Sequence, residues 1–178
     1  MSNVTLRTQA GTPLLIAVAA AIGLVAYPLL GPTWVFVKQE VIMAMNRVNV
    51  LFVCLHGSAK SLIAAEHFNR LAAARGLDAR ATSAGTEPDD AIPPHVIKGL
   101  AGDGIDVAGR RPQRPTPAEI EGAAAVVTFA CDLGALGSRA LRVIRWDDVP
   151  AVSEDFTRAR DAIVARVGGL LQDPAVRG

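Results

Sequence analysis

The sequence contains few of the residues that mark several common classes of protein. It has two cysteines in 178 residues, too few for the disulfide framework of a small secreted domain. Aromatic residues make up 4% of the chain and the formal net charge is +1, so neither stacking platforms nor a basic surface for nucleic acid is expected. The three histidines are scattered, and no internal repeat or spaced set of metal ligands is visible. We therefore expect one globular domain with an extension, without metal or nucleic acid.

Charged residues are also missing from the N-terminal part of the chain. Residues 8–37 contain none, and residues 13–30 are mostly Leu, Ile, Val and Ala. A run of this length is near the shortest that crosses a hydrocarbon core of roughly 30 Å. We predict a membrane helix over about 13–31, within a hydrophobic segment and linker that span residues 1–45.

The charges that flank this apolar run predict its orientation. Lys38 and Arg47 follow it and Arg7 precedes it, which favours a single-pass protein with a cytoplasmic C-terminal domain. Two alternatives remain open. The run is also compatible with a cleaved signal peptide, and a true start at Met43 or Met45 would leave a soluble cytoplasmic protein.

Residues 46–178 alternate between strand and helix patterns. Strands are predicted at 49–53, 78–83, 124–129 and 141–145, and the main helices at 61–75, 93–101 and 156–171. Such alternation predicts an α/β domain with a four-stranded parallel sheet, right-handed crossovers and helices on both faces.

The stretch from Asn49 to Ala65 is the most informative part of this domain. An apolar strand ends in a short polar loop, and a run of good helix formers follows. Backbone N–H groups and the helix dipole favour an anion or a thiolate at such a junction. The sequence therefore predicts a thiolate nucleophile at Cys54, with Lys60 and Ser61 nearby. The predicted oxyanion-binding loop consists of Leu55, His56, Gly57, Ser58, Ala59 and Lys60.

Two other interpretations of the loop remain open. A Walker-type phosphate loop also ends in Lys-Ser, but it requires glycine where Cys54 and Ala59 stand. Alternatively, Cys54 is a small buried hydrophobe at the end of a strand, which is common for a lone cysteine.

The loop and several later blocks together resemble one known family. Cys54-x5-Lys60-Ser61 is similar to the Cys-x5-Arg-Ser signature of the low-molecular-weight protein tyrosine phosphatase superfamily, which includes the thioredoxin-coupled arsenate reductases. The resemblance extends from about Val48 to Leu171. Further blocks agree in order and spacing: Ser83-Ala84-Gly85-Thr86, Pro93-Pro94, Gly104-Ile105-Asp106-Val107, Arg111-Pro112, Ala125-Val126-Val127-Thr128 with Cys131, and Trp146-Asp147-Asp148-Val149-Pro150.

The resemblance implies a phosphatase or an arsenate reductase that acts through a cysteine on a phosphate or arsenate anion or on a phosphorylated protein. The Cys54 thiolate would attack the phosphorus or arsenic, backbone amides and Lys60 would hold the oxyanion, and Ser61 would stabilise the thiolate. No cofactor is implied, although a reductase would need an external thiol such as thioredoxin.

The chain departs from the family pattern at three catalytic positions. Lys60 stands where the family has an Arg that binds two oxygens of the anion at once, and Gly57 replaces an Asn that braces the loop. The family's general acid is an Asp before a proline, whereas Val149 occupies that position here. Asp148 is then the expected general acid, and Asp147 is the weaker candidate.

The second cysteine bears on which of the two activities the chain has. Cys131 matches the first of two relay cysteines in the thioredoxin-coupled reductases, and the second position is Ser138. Cys131 is therefore a candidate resolving thiol for a disulfide with Cys54, or a buried cysteine without a redox role. The alternative to an enzyme is an impaired relative that binds phosphate or a phosphorylated partner without turnover.

Overall fold

The computed structural model describes residues 47–177. The hydrophobic segment predicted for residues 1–45, with its membrane helix over about 13–31, lies outside the described residues. Within residues 47–177, no helix combines the length and the apolar character needed to cross a membrane.

The described residues form a four-stranded sheet with the order β2-β1-β3-β4, and every strand pair is parallel. The predicted α/β fold with a four-stranded parallel sheet is therefore confirmed. The strands are β1 (Val48–Cys54), β2 (Ala79–Gly85), β3 (Ala125–Phe129) and β4 (Val143–Arg145). The helices are α1 (Lys60–Ala74), α2 (Pro94–Gly102), α3 (Pro117–Gly122), α4 (Phe156–Leu170) and α5 (Pro174–Arg177), with a short 3₁₀ helix at Gly134–Arg139.

The central strand β1 is almost wholly apolar because both of its faces are covered. Phe52 and Cys54 belong to the cluster that packs under α1 and α4, whereas Leu51 and Val53 belong to a cluster on the opposite face that includes Ile120 of α3. Alternate residues of a strand point to opposite faces, so a strand buried on both sides needs a continuous apolar run.

Phe52 anchors an aromatic group at the centre of the larger cluster. Its ring centroid lies 6.0 Å from that of Phe68, 6.3 Å from Phe129 and 5.7 Å from Trp146. Aromatic contacts of this kind contribute about 0.5–1.5 kcal/mol each beyond the area that they bury. They fix Trp146, and with it the start of the segment that follows β4, beside the carboxyl end of β1.

All carboxyl ends of the parallel strands meet at one edge of the sheet. The loop 55–59 leaves β1 there, and the segments after β2 and β4 leave their strands at the same edge. Backbone hydrogen bonds from Thr86 to the Cys54 carbonyl (3.1 Å) and from Trp146 to the Thr128 carbonyl (2.8 Å) hold these segments against the sheet. Ligands of open α/β sheets bind at this edge.

Candidate active site

The sulfur of Cys54 lies at the mouth of the loop between β1 and α1. The backbone N–H of Gly57 donates to Cys54 Sγ at 3.1 Å, and Ser61 Oγ lies 3.2 Å from the same sulfur. Cys54 is 7% exposed and Ser61 is fully buried. In the thiolate form, both groups can donate hydrogen bonds to the sulfur. The structure thus brings Cys54 and Ser61 together.

The first turn of α1 offers unpaired backbone donors beside this sulfur. Ala59 is the N-cap residue, it makes no side-chain cap, and no acidic residue occupies the first turn. The N–H of Ile63 makes the first intrahelical bond, to the Ala59 carbonyl at 2.9 Å. The N–H groups before it have no partner within the helix and remain available to an anion, as at other helix N-termini.

Gly57 holds the loop in place by a close approach of two backbones. Its φ is +67°, and a Cβ on Gly57 would lie 2.7 Å from the backbone nitrogen of Gly85. A Cβ on Gly85 would equally meet the Gly57 nitrogen at 2.6 Å. Glycine is therefore required at both positions, since each contact leaves no room for a side chain and Gly57 also has a left-handed backbone. The sequence alone indicates only that Gly57 replaces a bracing residue, not that the loop needs a glycine there.

Asp89, in the segment after β2, braces the same loop with its side chain. Ser58 Oγ donates to Asp89 Oδ2 at 2.5 Å, and His56 Nδ1 lies 3.2 Å from Asp89 Oδ1. The backbone N–H of Asp89 also donates to the His56 carbonyl at 3.1 Å. No motif in the sequence distinguishes Asp89 from other surface carboxylates. The signal that points to it is its place after a neighbouring parallel strand, where side chains reach the same edge of the sheet.

Lys60 connects the loop to the segment that follows β4. Its Nζ donates to the Val149 carbonyl at 2.7 Å, and Val149 itself is buried. The remaining N–H groups of the ammonium are available to an anion, because an ammonium carries more donors than this one bond uses. Lys60 therefore brings a positive charge to the site while it fixes the position of the Val149 backbone.

These groups line a cavity of about 380 Å³. Asp89 is the only carboxylate among the lining residues in the part of the chain that the structure describes. Across residues 47–177, no group of three or more His, Cys, Asp or Glu side chains is arranged to hold a metal ion. The lining residues are Cys54, Leu55, His56, Ser58, Ala59, Lys60, Asp89, Pro93, His95, Phe129, Ala130, Ala151, Val152 and Ser153. Of the predicted oxyanion loop, only Gly57 is not a lining residue.

The structure does not bring Asp148 to Cys54. Both carboxylate oxygens of Asp148 accept hydrogen bonds from Arg166 of α4, at 2.8 Å and 2.5 Å. This pairing lowers the pKa of Asp148, and its side chain is 78% exposed. Asp147 is engaged elsewhere too, because it accepts from Arg145 Nε at 3.0 Å and from the Ala130 N–H at 3.0 Å. Neither carboxylate lines the cavity that contains Cys54.

Cys131 packs in a different cluster of buried side chains from Cys54. It packs in the cluster with Leu51 and Val53, and its Sγ donates to the Val53 carbonyl at 3.4 Å. Burial raises the pKa of the Cys131 thiol, so this thiol stays protonated at neutral pH. Ser138 is exposed, and its hydroxyl donates to the Ala135 carbonyl.

The sequence and the fold are similar to those of known proteins. The family model described as low molecular weight phosphotyrosine protein phosphatase matches residues 49–135. Among solved structures, the low molecular weight protein tyrosine phosphatase from T. tengcongensis is 21% identical, with 70% of this chain and 98% of that chain covered and a TM-score of 0.64. The arsenate reductase from Archaeoglobus fulgidus DSM 4304 is 26% identical, with 70% and 99% covered and a TM-score of 0.55.

A third similar structure is that of the YwlE arginine phosphatase, in a cysteine-to-serine mutant whose active-site serine is phosphorylated. It is 17% identical, with 71% of this chain and 97% of that chain covered and a TM-score of 0.62. None of the curated proteins matches this chain.

Proposed function

The chain belongs to the low-molecular-weight protein tyrosine phosphatase superfamily, which includes arsenate reductases, and from this premise we propose that it is a Cys54-dependent phosphatase of phosphate monoesters. The observation that carries the proposal is the position of the Cys54 sulfur. It accepts from the Gly57 N–H and contacts Ser61 Oγ at the uncapped N-terminus of α1. This arrangement suits a thiolate that faces a tetrahedral oxyanion.

The proposed reaction proceeds through a phosphorylated cysteine. The Cys54 thiolate attacks phosphorus as the bond to the ester oxygen breaks, and Ser61 and Gly57 stabilise the sulfur whenever it carries the negative charge. The loop amides and the free N–H groups of Lys60 hold the phosphoryl oxygens, and these bonds strengthen as charge develops. Water then displaces the thiolate and releases phosphate. The reaction requires no metal or cofactor.

The surroundings of Cys131 favour the phosphatase over the arsenate reductase. A reductase needs a thiol that can attack the cysteine adduct, whereas Cys131 is buried among apolar side chains and its Sγ donates to the Val53 carbonyl. The relay position at Ser138 offers an exposed hydroxyl instead of a thiol. A reductase function would therefore require an external thiol, such as thioredoxin, to resolve the adduct directly.

The walls of the cavity support an aromatic phosphate ester as the substrate. Leu55, Pro93, Phe129 and Val152 line it beside the polar loop, and a volume of about 380 Å³ lies within the range of small-molecule pockets. A phosphorylated aromatic side chain on a partner protein has both the anion and the apolar body that this cavity suits.

A second candidate function is phosphate binding without turnover. The position that holds the family's general acid is Val149, and the neighbouring Asp148 is bound to Arg166. A site without a proton donor still binds an oxyanion but releases a poor leaving group slowly.

Hydrolysis of 4-nitrophenyl phosphate by the full chain, with Cys54→Ser as the control, tests the proposal. The phosphatase predicts turnover that the Cys54→Ser variant lacks. Phosphate binding without Cys54-dependent turnover would favour the second candidate. Arsenate-dependent oxidation of an added thiol in the absence of esterase activity would instead favour the reductase.

We also propose that residues 13–31 anchor this enzyme in a membrane, with residues 46–178 in the cytoplasm. The support is the uncharged apolar run and the flanking basic residues. Topology reporters fused to each end of the full chain test this. A reporter signal from the cytoplasm at both ends would contradict it.

A further inference from the structure

The proposed phosphatase has no carboxylate at the position where its family carries the proton donor. Val149 is buried there, and its carbonyl accepts from Lys60. An aryl or alkyl oxygen nevertheless needs a proton as its bond to phosphorus breaks, unless it is already a stable anion. Another group of the cavity must therefore supply that proton if such esters are substrates.

His56 and Asp89 lie beside each other in the cavity, with their side chains within ion-pair distance. His56 Nδ1 lies 3.2 Å from Asp89 Oδ1, and the backbone of Asp89 donates to the His56 carbonyl. Both residues line the cavity that contains the Cys54 sulfur, and the His56 side chain is 56% exposed. A carboxylate beside Nδ1 orients the ring, which leaves Nε2 as the nitrogen available to a substrate.

We propose that His56 is the proton donor and acceptor of this phosphatase and that Asp89 is its positioning residue. This proposal rests on the proposed function and identifies the residue that protonates the leaving group of that reaction. Asp89 itself does not suit the role of acid, because one of its oxygens accepts from Ser58 Oγ and the other faces His56 Nδ1.

The atoms balance over the two steps. In the first step, the Cys54 sulfur bonds to phosphorus, the phosphorus–oxygen ester bond breaks, and protonated His56 gives its Nε2 proton to the leaving oxygen. In the second step, a water oxygen bonds to phosphorus, neutral Nε2 takes a proton from that water, and the phosphorus–sulfur bond breaks. Phosphate leaves, and the thiolate and the imidazolium are both restored.

The charges around His56 suit this cycle. The titratable groups that line the cavity with it are Cys54, Lys60, Asp89 and His95. Asp89 and a bound phosphoryl group place negative charge near His56, and Lys60 places positive charge in the same cavity. Within residues 47–177, no carboxylate lies within ion-pair distance of the His95 ring, whereas Asp89 lies at that distance from His56.

The test compares two esters that differ in their need for a proton. 4-Nitrophenolate is a stable leaving group, whereas phenolate is a poor one. For the full chain, His56→Gln is expected to lower kcat/KM for phenyl phosphate about 100-fold and for 4-nitrophenyl phosphate less than about tenfold. Asp89→Asn should also lower kcat/KM more for phenyl phosphate than for 4-nitrophenyl phosphate, because the imidazole ring loses the carboxylate that positions it.

Two control variants identify the acid among similar side chains. His95→Gln and Asp90→Asn are expected to keep the wild-type ratio of the two substrates. The assignment of His56 would be overturned if His56→Gln slowed both esters equally, or if His95→Gln selectively lost activity on phenyl phosphate. In either case, Cys54-dependent turnover of 4-nitrophenyl phosphate would still support the phosphatase. Absence of Cys54-dependent turnover of either ester by the wild-type chain would overturn both proposals.

Discussion

The two cysteines of this chain have opposite surroundings. Cys54 accepts from a backbone amide and contacts a buried hydroxyl, whereas Cys131 packs among apolar side chains that raise its pKa. Thiolates are the reactive form of cysteine, so the two sulfurs should differ in reactivity.

Alkylation measures that difference directly. In the folded chain at neutral pH, iodoacetamide should modify Cys54 at least tenfold faster than Cys131, because the buried Cys131 thiol stays protonated. Inorganic phosphate should protect Cys54 and leave Cys131 unaffected. Peptide mass spectrometry over a time course gives both rates. Faster modification of Cys131, or no protection by phosphate, would contradict this account of the site.

Lys60 is expected to bind the oxyanion less tightly than the arginine found at this position in the family. A guanidinium forms two parallel bonds with an oxyanion, whereas an ammonium acts as a point charge. Lys60→Arg should therefore raise kcat/KM for 4-nitrophenyl phosphate about tenfold. Lys98→Arg, on the exposed side of α2, is the matched control and should have no effect. An unchanged rate in Lys60→Arg would show that binding of the anion does not limit the reaction.

The residues of the loop could be predicted from the sequence because they are contiguous. Cys54, Lys60 and Ser61 stand at fixed spacing between a strand and a helix, so local pattern and resemblance both locate them. Asp89 is 31 residues from its partner Ser58 in the sequence, and a local sequence pattern cannot predict a contact between residues so far apart in the chain. Arg166, which binds Asp148 outside the cavity, likewise lies on a helix, 18 residues further along the chain.

At the scale of elements, the loop after β1 depends on its backbone contact with the end of β2. Gly57→Ala should destabilise the protein because it adds both left-handed strain, roughly 1–2 kcal/mol, and a clash with Gly85. Gly76 is the matched control. Its φ is +66°, but nothing lies within 4 Å of an added Cβ, so Gly76→Ala measures the strain alone.

Urea unfolding of the two variants separates these terms. The free energy of unfolding should fall by about 1–2 kcal/mol in Gly76→Ala and by roughly a further 1–3 kcal/mol in Gly57→Ala. Equal losses in the two variants would mean that the contact between Gly57 and Gly85 is not tight in solution.

The pair between Asp148 and Arg166 ties the segment after β4 to α4, and it should depend on pH. Arg166 holds the pKa of Asp148 below its usual value of 3.8. A lowered carboxyl pKa contributes stability that is present above the unfolded pKa and is lost as the pH falls through the folded pKa. Asp148→Asn should therefore lower Tm slightly at pH 6 and have a smaller effect at about pH 3. A loss in Tm that is independent of pH would contradict the ionic origin.

The observed bounds of the strands and main helices agree closely with the bounds predicted from the sequence. Every predicted strand and main helix begins and ends within two residues of its observed bounds. One difference of that size is at β4, which was predicted from residue 141 and starts at Val143. Leu141 precedes the strand and is 80% exposed. The apolar residues there therefore predicted a longer edge strand than the structure contains, because apolar content alone does not show where an edge strand begins.

At the scale of the whole molecule, the alternation of strands and helices was sufficient to predict the parallel sheet. The superfamily predicted from the spaced motifs is confirmed by the family model and the similar structures. The site could be located from the sequence because parallel strands place the loops that follow them at one edge of the sheet. The proposed proton donor could not be predicted in the same way, since it depends on which side chains from separate loops meet at that edge.

The central claim is that Cys54 carries the phosphoryl group during turnover. Rapid acid quenching of the full chain with 4-nitrophenyl phosphate, followed by peptide mass spectrometry, tests this claim most directly. The account predicts a phosphoryl adduct on Cys54 that forms before phosphate is released and is absent from Cys54→Ser. Release of phosphate at an equal rate by Cys54→Ser, with no adduct on Cys54 in the wild-type chain, would contradict it.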